Sequence, residues 1–375
     1  MGKLGERMSK RKRIGYLDIA KGLAIISVVA GHYCEFFLGQ EHVLYNVFYS
    51  FHMPLFFILG GFFLGIRYKP LKPFIESRVK RLLVPYFFIG FLYAIGESLR
   101  IFIKYKNCII ASKSLLKNIY VIFYGSGNAE GSWYINTKGQ LISMQEEAGM
   151  IWFLLAMFWG SLIIFLLKDK KGAAIYVTII VLVGVMSSKY MWLPFSIQNG
   201  MNASGFIYIG YLMRKHNIFT KIKFDVVNIF LFFTSVSLWI YCILFGKCYM
   251  FNNYYKNGIV DFIGAVAAFY VIICVCGGID KLVVSKFLNW FGINSLFVLG
   301  IHYLDARICY FVGWRIVTIL RKIIHMELYW WVTLIMVMII ELSFYSIIMV
   351  VLSKNSFISQ IFYYMKPDKN TSNRA

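Results

Sequence analysis

Charge is scarce in this chain. Asp, Glu, Lys and Arg make up 15% of its 375 residues, against about a quarter in an ordinary soluble domain. With 59% of residues hydrophobic and 19% aromatic, that shortage excludes a soluble fold of this length and points to an all-α polytopic membrane protein. Acidic residues are scarcer still, 17 Asp and Glu facing 39 Lys and Arg for a formal net charge of +22. The basic residues fall in short runs between hydrophobic spans, so they indicate membrane lipid headgroups and topology, not nucleic acid. The seven cysteines are scattered, and the closest pair, Cys274 and Cys276, points to different sides of a helix. No disulfide framework and no metal site follows. A small-residue cleavage site is missing after the basic N-terminus, so the first span reads as a retained helix. Also missing are an appended soluble domain and the internal repeat that marks many transporters.

Long hydrophobic runs are what the chain does have. Taken as helices of about 20 residues, they fall near 16–38, 44–66, 82–103, 149–167, 172–188, 199–213, 225–246, 258–276, 289–310 and 328–353. The expectation is a bundle of about ten transmembrane helices: a basic cytoplasmic tail over 1–15, a membrane domain over 16–353, and a second cytoplasmic tail over 354–375. Most of the basic residues then lie on the side of the two termini, as an inside location requires. Arg307, Arg315, Arg321 and Lys322 disagree, clustering at the outer end of the ninth span. Either that end dips in as an amphipathic helix, or the last two spans are misplaced. The sixth span is short and polar at its start. The longest connection, an outer loop over 104–148, contains Gly125, Gly127, Gly131, Trp133, Tyr134, Glu146 and Glu147. It reads either as functional or as a solvated loop with a short amphipathic helix over 112–124.

The first span carries four ionisable groups, Asp18, Lys21, His32 and Glu35. Eleven helical steps separate Lys21 from His32, three turns plus about 20°, so the two share a face about 16 Å apart in depth. Ionisable groups in a span usually face a bundle interior or a wet cavity. The alternative is a snorkelling Asp18–Lys21 pair, with His32 capping the far end. In the second span Pro54 removes a donor and leaves carbonyls to be satisfied by a neighbour or water. His52 lies two residues before it, either packed as a structural residue or meeting His32 at similar depth. Arg78, Lys80 and Arg81 stand at the cytoplasmic mouth of the third span, as positive-inside signals or as a landing site for phosphate. Glu97 and Arg100, three apart, are expected to pair.

Six stretches in order, YLDIAKGLAIISVVAGH, SFHMPLFFILGGF, RVKRLLVPY, IWFL (Ile151 to Leu154), GFIYIGYLMRK (Gly205 to Lys215) and LNWFGINSLFVLGIH (Leu288 to His302), resemble the acyltransferase 3 family and its fucose 4-O-acetylase-like branch. The resemblance implies a multi-pass enzyme of the bacterial inner membrane. It would move acetyl from acetyl-CoA, a substrate and not a bound cofactor, to a hydroxyl of a cell-surface or lipid-linked sugar, and could work within a polysaccharide-synthesis complex. The family's basic-X10-His element falls on Lys21 and His32, which makes His32 the expected general base, with Glu35 one turn on to orient it. Lys21, Arg78, Lys80 and Arg81 would hold the acyl-CoA, and Asp18, His52 and His302 would support or line the cavity. Lys21 departs from the arginine of many members, and Gly60 stands where serine is frequent. A transporter or flippase for a polysaccharide precursor, and a structural subunit of a synthesis complex, remain the rival readings of the buried charges.

Overall fold

The computed structural model describes residues 15–64, 70–127, 133–135, 141–143, 147–218, 225–309, 311–324 and 329–363. Its helices are α1 (Gly15–Leu38), α2 (Val43–Tyr49), α3 (His52–Leu64), α4 (Leu71–Arg78), α5 (Val84–Tyr105), α6 (Cys108–Tyr124), α7 (Trp152–Leu167), α8 (Ala173–Ser187), α9 (Ile197–Lys215), α10 (Val226–Phe245), α11 (Ile259–Gly278), α12 (Val283–Ile293), α13 (Ser295–Leu304), α14 (Val312–Ile324), α15 (Trp330–Leu352) and α16 (Ser356–Tyr363). Two short antiparallel hairpins complete it, β1 (Trp133–Ile135) with β2 (Leu141–Ser143) and β3 (Cys248–Tyr249) with β4 (Tyr254–Tyr255). The protein is an all-α polytopic membrane protein.

A helix stands at each of the ten expected places, but they are not equivalent. Among the described residues seven helices are long and apolar enough to cross a membrane, or eight if the bent pair α12–α13 counts as one span. That pair turns by 69° at Asn294. α8 is a shorter apolar helix, and α9 is set apart by its polar start. The polarity of α9 has a structural cause: its first turns are buried in protein and clamp the loops at one end of the bundle. Gln198 accepts from Leu193 N at 2.6 Å and donates to Met191 O at 2.7 Å. Asn199 donates to Met250 O and Phe251 O, both at 2.9 Å, and Asn202 to Asn253 Oδ1 at 2.9 Å.

Glycine sets the two closest helix crossings. A Cβ on Gly22 of α1 would lie 1.8 Å from Leu288 O of α12, and one on Gly292 of α12 would lie 1.8 Å from Asp18 O of α1. The same reciprocal contact joins α3 to α9, Gly61 against Ile207 O and Gly210 against Ile58 O, again at 1.8 Å. In lipid, helices associate by packing and not by hydrophobic exclusion, so backbone approach at small residues is the main source of tight pairing.

Proline sets the irregular turns. Pro85 offers no N–H to the carbonyl four residues back, and the chain passes from α4 to α5 through a π-helical turn, Val79–Leu83. Near Pro54 the span divides into α2 and α3, and the carbonyl of Phe48 at that break accepts from His52 Nδ1 at 2.6 Å.

Of the two readings of the segment after the ninth span, the amphipathic helix is the one present: a π-helical turn, Asp305–Cys309, leads to the separate amphipathic helix α14. Beyond residue 353 the chain forms α16, whose Phe362 lies 4.5 Å from Phe297 and whose exposed Phe357 lies 6.0 Å from Phe88 between ring centroids. Arg100 and Glu97 do pair, at 2.8 and 2.5 Å.

Substituting alanine at Gly22 or Gly210 is expected to destabilise the purified protein by about 1–3 kcal/mol or more, through overpacking against backbone. Gly278→Ala, with nothing within 4 Å of its Cβ position, should stay within about 0.5 kcal/mol. Thermal unfolding of the three variants in one detergent checks the contrast.

Candidate active site

A cavity of about 670 Å³ extends along α1. Around the N-terminal end of α1 it is lined by Asp18, Lys21, Arg78, Arg81 and Arg214, and towards the other end by His32, Glu35, Tyr49, His52 and Glu147. Apolar side chains such as Val28, Met53, Phe56 and Met157 line the length between. Lys21 and His32 therefore open into one space at two depths. The snorkelling pair is also real, with Lys21 Nζ 2.9 Å from Asp18 Oδ1, so pairing and cavity lining are not exclusive.

At the histidine end, His32 Nδ1 lies 3.2 Å from the Tyr49 hydroxyl and 3.5 Å from Glu35 Oε2. Tyr49 donates to Glu35 Oε2 at 3.0 Å, and Gln40 Nε2 donates to Oε1 at 2.7 Å. Because Tyr49 spends its one proton on the carboxylate, its oxygen is free to accept from His32 Nδ1–H. That fixes the tautomer and leaves the lone pair on Nε2, the form a general base requires. His52 is fixed the same way, since the Phe48 carbonyl can only accept and Nδ1 must carry the hydrogen.

The two cavity histidines do not form the pair the sequence suggests. The Tyr49 ring stands edge-on to both, 6.0 Å from His32 and 4.9 Å from His52 between centroids. The imidazole beside His32 is instead that of His302, 5.5 Å away between centroids. His302 is fully buried and does not line the cavity. It lies behind the wall, where Tyr345, Asp305, Glu341 and Tyr33 are joined by hydrogen bonds.

At the opposite end the cations are spaced by helix geometry. Arg78 and Arg81, three apart on either side of the start of the π-helical turn, share its cavity face. Lys80, two residues from Arg78, falls on the far side of the turn and is not among the residues lining the cavity. Arg214, which sequence reasoning left without a role, takes its place from the C-terminal turn of α9. Aromatic rings flatten three of these side chains: Phe63 lies 4.6 Å from Lys21 Nζ, Phe74 5.3 Å from the Arg78 guanidinium, and Phe62 5.3 Å from that of Arg214. Cations stacked on aromatic faces keep their charge and lose little freedom on binding an anion.

The loop over 104–148 folds back onto the histidine end. It holds α6, longer than the expected helix, and its Gly127 and Glu147 line the cavity. Gly131 and Glu146 lie outside the described residues. Arg307, an outlier to the charge bias, turns inward and donates to Glu147 O at 3.1 Å. Beside it Gly149 has φ +61°, and a Cβ there would meet Arg307 Nη2 at 2.8 Å, so both conformation and space call for glycine. Burial pushes the Glu147 carboxyl above the ordinary carboxylate value, with Arg307 pulling the other way.

Tyr49, Arg214 and the Tyr345–Asp305–Glu341 group are the members that motif reading missed. Glu341 had a signal, being a lone carboxylate inside an apolar span. Tyr49 had none, since a tyrosine in an aromatic-rich helix carries no mark of its role.

A family model described as an acyltransferase domain, that of the acyltransferase 3 family, matches residues 14–353. No curated protein and no solved structure matches the chain. The match covers the whole bundle through the end of α15, both ends of the cavity included, and the chain thus belongs to the acyltransferase 3 family as a multi-pass membrane acyltransferase.

Proposed function

We propose that the chain is an O-acetyltransferase of the bacterial inner membrane, with both termini cytoplasmic, that moves acetyl from cytoplasmic acetyl-CoA to a hydroxyl of a cell-surface or lipid-linked sugar. The observation that carries this reading is the single cavity bordered by four cations at one end and His32 at the other. Lys21, Arg78, Arg81 and Arg214 suit the phosphates of CoA, and the apolar length between suits its pantetheine arm. A volume of about 670 Å³ lies within the usual range of ligand pockets, about 300–1,000 Å³.

The chemistry follows from the tautomer. The sugar oxygen attacks the thioester carbon as His32 Nε2 takes its proton; the C–S bond then breaks, and the proton passes from the imidazolium to the CoA sulfur. Charge that develops on the ring is spread through Nδ1–H to Tyr49 and on to Glu35. The likeness to the fucose 4-O-acetylase-like branch favours a sugar acceptor. Family membership favours transfer over transport, although a solute carrier would also bury charge.

Purified protein in nanodiscs, given acetyl-CoA labelled in the acetyl group, is expected to release CoA only when a sugar acceptor is present. His32→Ala should lower that rate about 10²- to 10⁴-fold, the usual worth of a general base, with an unchanged elution profile on size exclusion. Undiminished transfer by the variant removes His32 from the mechanism, and uptake of label without CoA release points to the transporter. Arg78→Ala with Arg81→Ala should raise KM for acetyl-CoA about tenfold or more, the worth of a hydrogen bond to a charged group, and leave kcat within a few-fold; an unchanged KM places the donor elsewhere.

A further inference from the structure

His302 poses a question that the cavity does not answer. Its Nδ1 lies 2.9 Å from the Tyr345 hydroxyl, which donates to Asp305 Oδ2 at 2.9 Å. By the argument applied to Tyr49, the Tyr345 oxygen then accepts from His302 Nδ1–H, and the lone pair is on Nε2. That Nε2 is buried and has no hydrogen-bond partner among the described residues. A buried acceptor left unmade costs about 1–3 kcal/mol, and its occurrence calls for a reason.

The nearest reason is the neighbouring ring. His32 and His302 lie side by side, 5.5 Å between centroids, and each ends a chain of the same composition: Glu35–Tyr49–His32 on one side, Asp305–Tyr345–His302 on the other. The second chain is anchored independently of the first. Val312 N donates to Asp305 Oδ1 at 3.1 Å. The neighbouring Glu341 accepts from Gly313 N at 2.7 Å and from the Tyr33 hydroxyl.

We propose that His302 is a positioning residue for proton transfer, an acceptor held in one tautomer by Tyr345 and Asp305, that receives a hydrogen bond from His32 once His32 is protonated. The proposal rests on the acyl-transfer reading of the cavity. The O–H bond of the sugar breaks, and its proton goes to His32. The imidazolium is then shared with the lone pair of His302 Nε2, and the proton leaves to the CoA sulfur as the C–S bond breaks, so His302 ends the cycle as it began. His302 stays neutral throughout. The resting orphan is thus the empty half of a bond made only while His32 carries charge, the kind of interaction that raises kcat without tightening substrate. Ionisable groups acting on this pair are Glu35 on α1, Tyr49 on α2, His52 on α3, Glu147 before α7 and Tyr345 on α15, with Asp305, Glu341 and Tyr33 linked behind Tyr345.

Asp305→Asn is the informative variant because it keeps shape and reverses polarity. Its Oδ1 can retain the Val312 bond while Nδ2 now donates to the Tyr345 oxygen. Tyr345 must then donate to His302 Nδ1, which moves the His302 hydrogen to Nε2 and destroys the acceptor. Tyr345→Phe removes the tether without touching His32. In nanodisc-reconstituted protein both variants are expected to lower kcat about 10- to 100-fold, the worth of a hydrogen bond to a charged group, with both KM values within about twofold. Carbethoxylation of His32 by diethylpyrocarbonate, which attacks neutral imidazole, should run faster in both variants just below neutral pH, because the imidazolium has lost its acceptor. A kcat for Asp305→Asn within about twofold of the parent protein, or KM values rising in step with its loss, overturns the proposal. If the parent protein transfers no acetyl group, the acyltransferase reading fails alone. The carbethoxylation rates still decide whether His302 stabilises charge on His32, equal rates in parent and variants overturning it.

Discussion

Two backbones pressed together at Gly22 and Gly292 hold the candidate site in register. Leu288 O and Asp18 O each occupy the place where the opposite residue would carry a side chain. This contact brings Gly292 and Ser295, beside the 69° bend, to the same cavity end as Asp18 and Lys21. The bend then redirects α13 towards the other end of α1, where His302 meets His32. The crossing of α3 with α9 at Gly61 and Gly210 does the same for the opposite wall, bringing Arg214 to the mouth that Arg78 and Arg81 share. Neither crossing involves a reactive group, yet both ends of the cavity depend on them.

Much of this arrangement was legible in the sequence. The one-face relation of Lys21 and His32 follows from eleven residues of helix, and both open into the cavity. The Asp18–Lys21 and Glu97–Arg100 pairs follow from i, i+3 spacing. What periodicity left open was partner choice across helices, and of the two readings of His52 the packed, locally bonded one holds. His52 sits at a depth similar to that of His32 on an adjacent helix, but a break at Ser50 and the Phe48 carbonyl turn its ring to a local bond, and His302 arrives from a helix far along the chain. Helical period says which face a residue occupies, not which face it meets.

The polar start of α9 shows the same limit from another side. Read as a membrane span, Gln198, Asn199 and Asn202 weaken the case for a helix, because lipid cannot satisfy them. Surrounded by protein they are fully buried and hydrogen-bonded to loop backbone and to Asn253, and they hold the cavity's Met250 and Phe251 in place. Hydropathy assumes lipid as the neighbour, and the central helices of a bundle this size have little lipid around them. Lys80 is the reverse case: a residue of a basic run placed away from the cavity by the two-residue step.

Tyrosine between carboxyl and imidazole is the recurrent device, and low polarity explains its use. A buried carboxylate against a buried imidazolium is strongly attractive only after both have been desolvated, and breaking such a pair leaves an uncompensated charge. Interposing a phenol lets a single proton order the chain in one direction and gives the histidine a defined tautomer. At Glu35 the carboxylate still reaches within 3.5 Å of His32 Nδ1 and is shared with Gln40, whereas at Asp305 the tyrosine is the link to His302. The half nearer the loop over 104–148 is thus the more strongly polarised of the two. In the proposed transfer, a base that must hold a proton only between bond formation to the acceptor and departure of sulfur gains from one strong and one weak partner, since a strong partner on each side would keep the proton after the leaving group needs it.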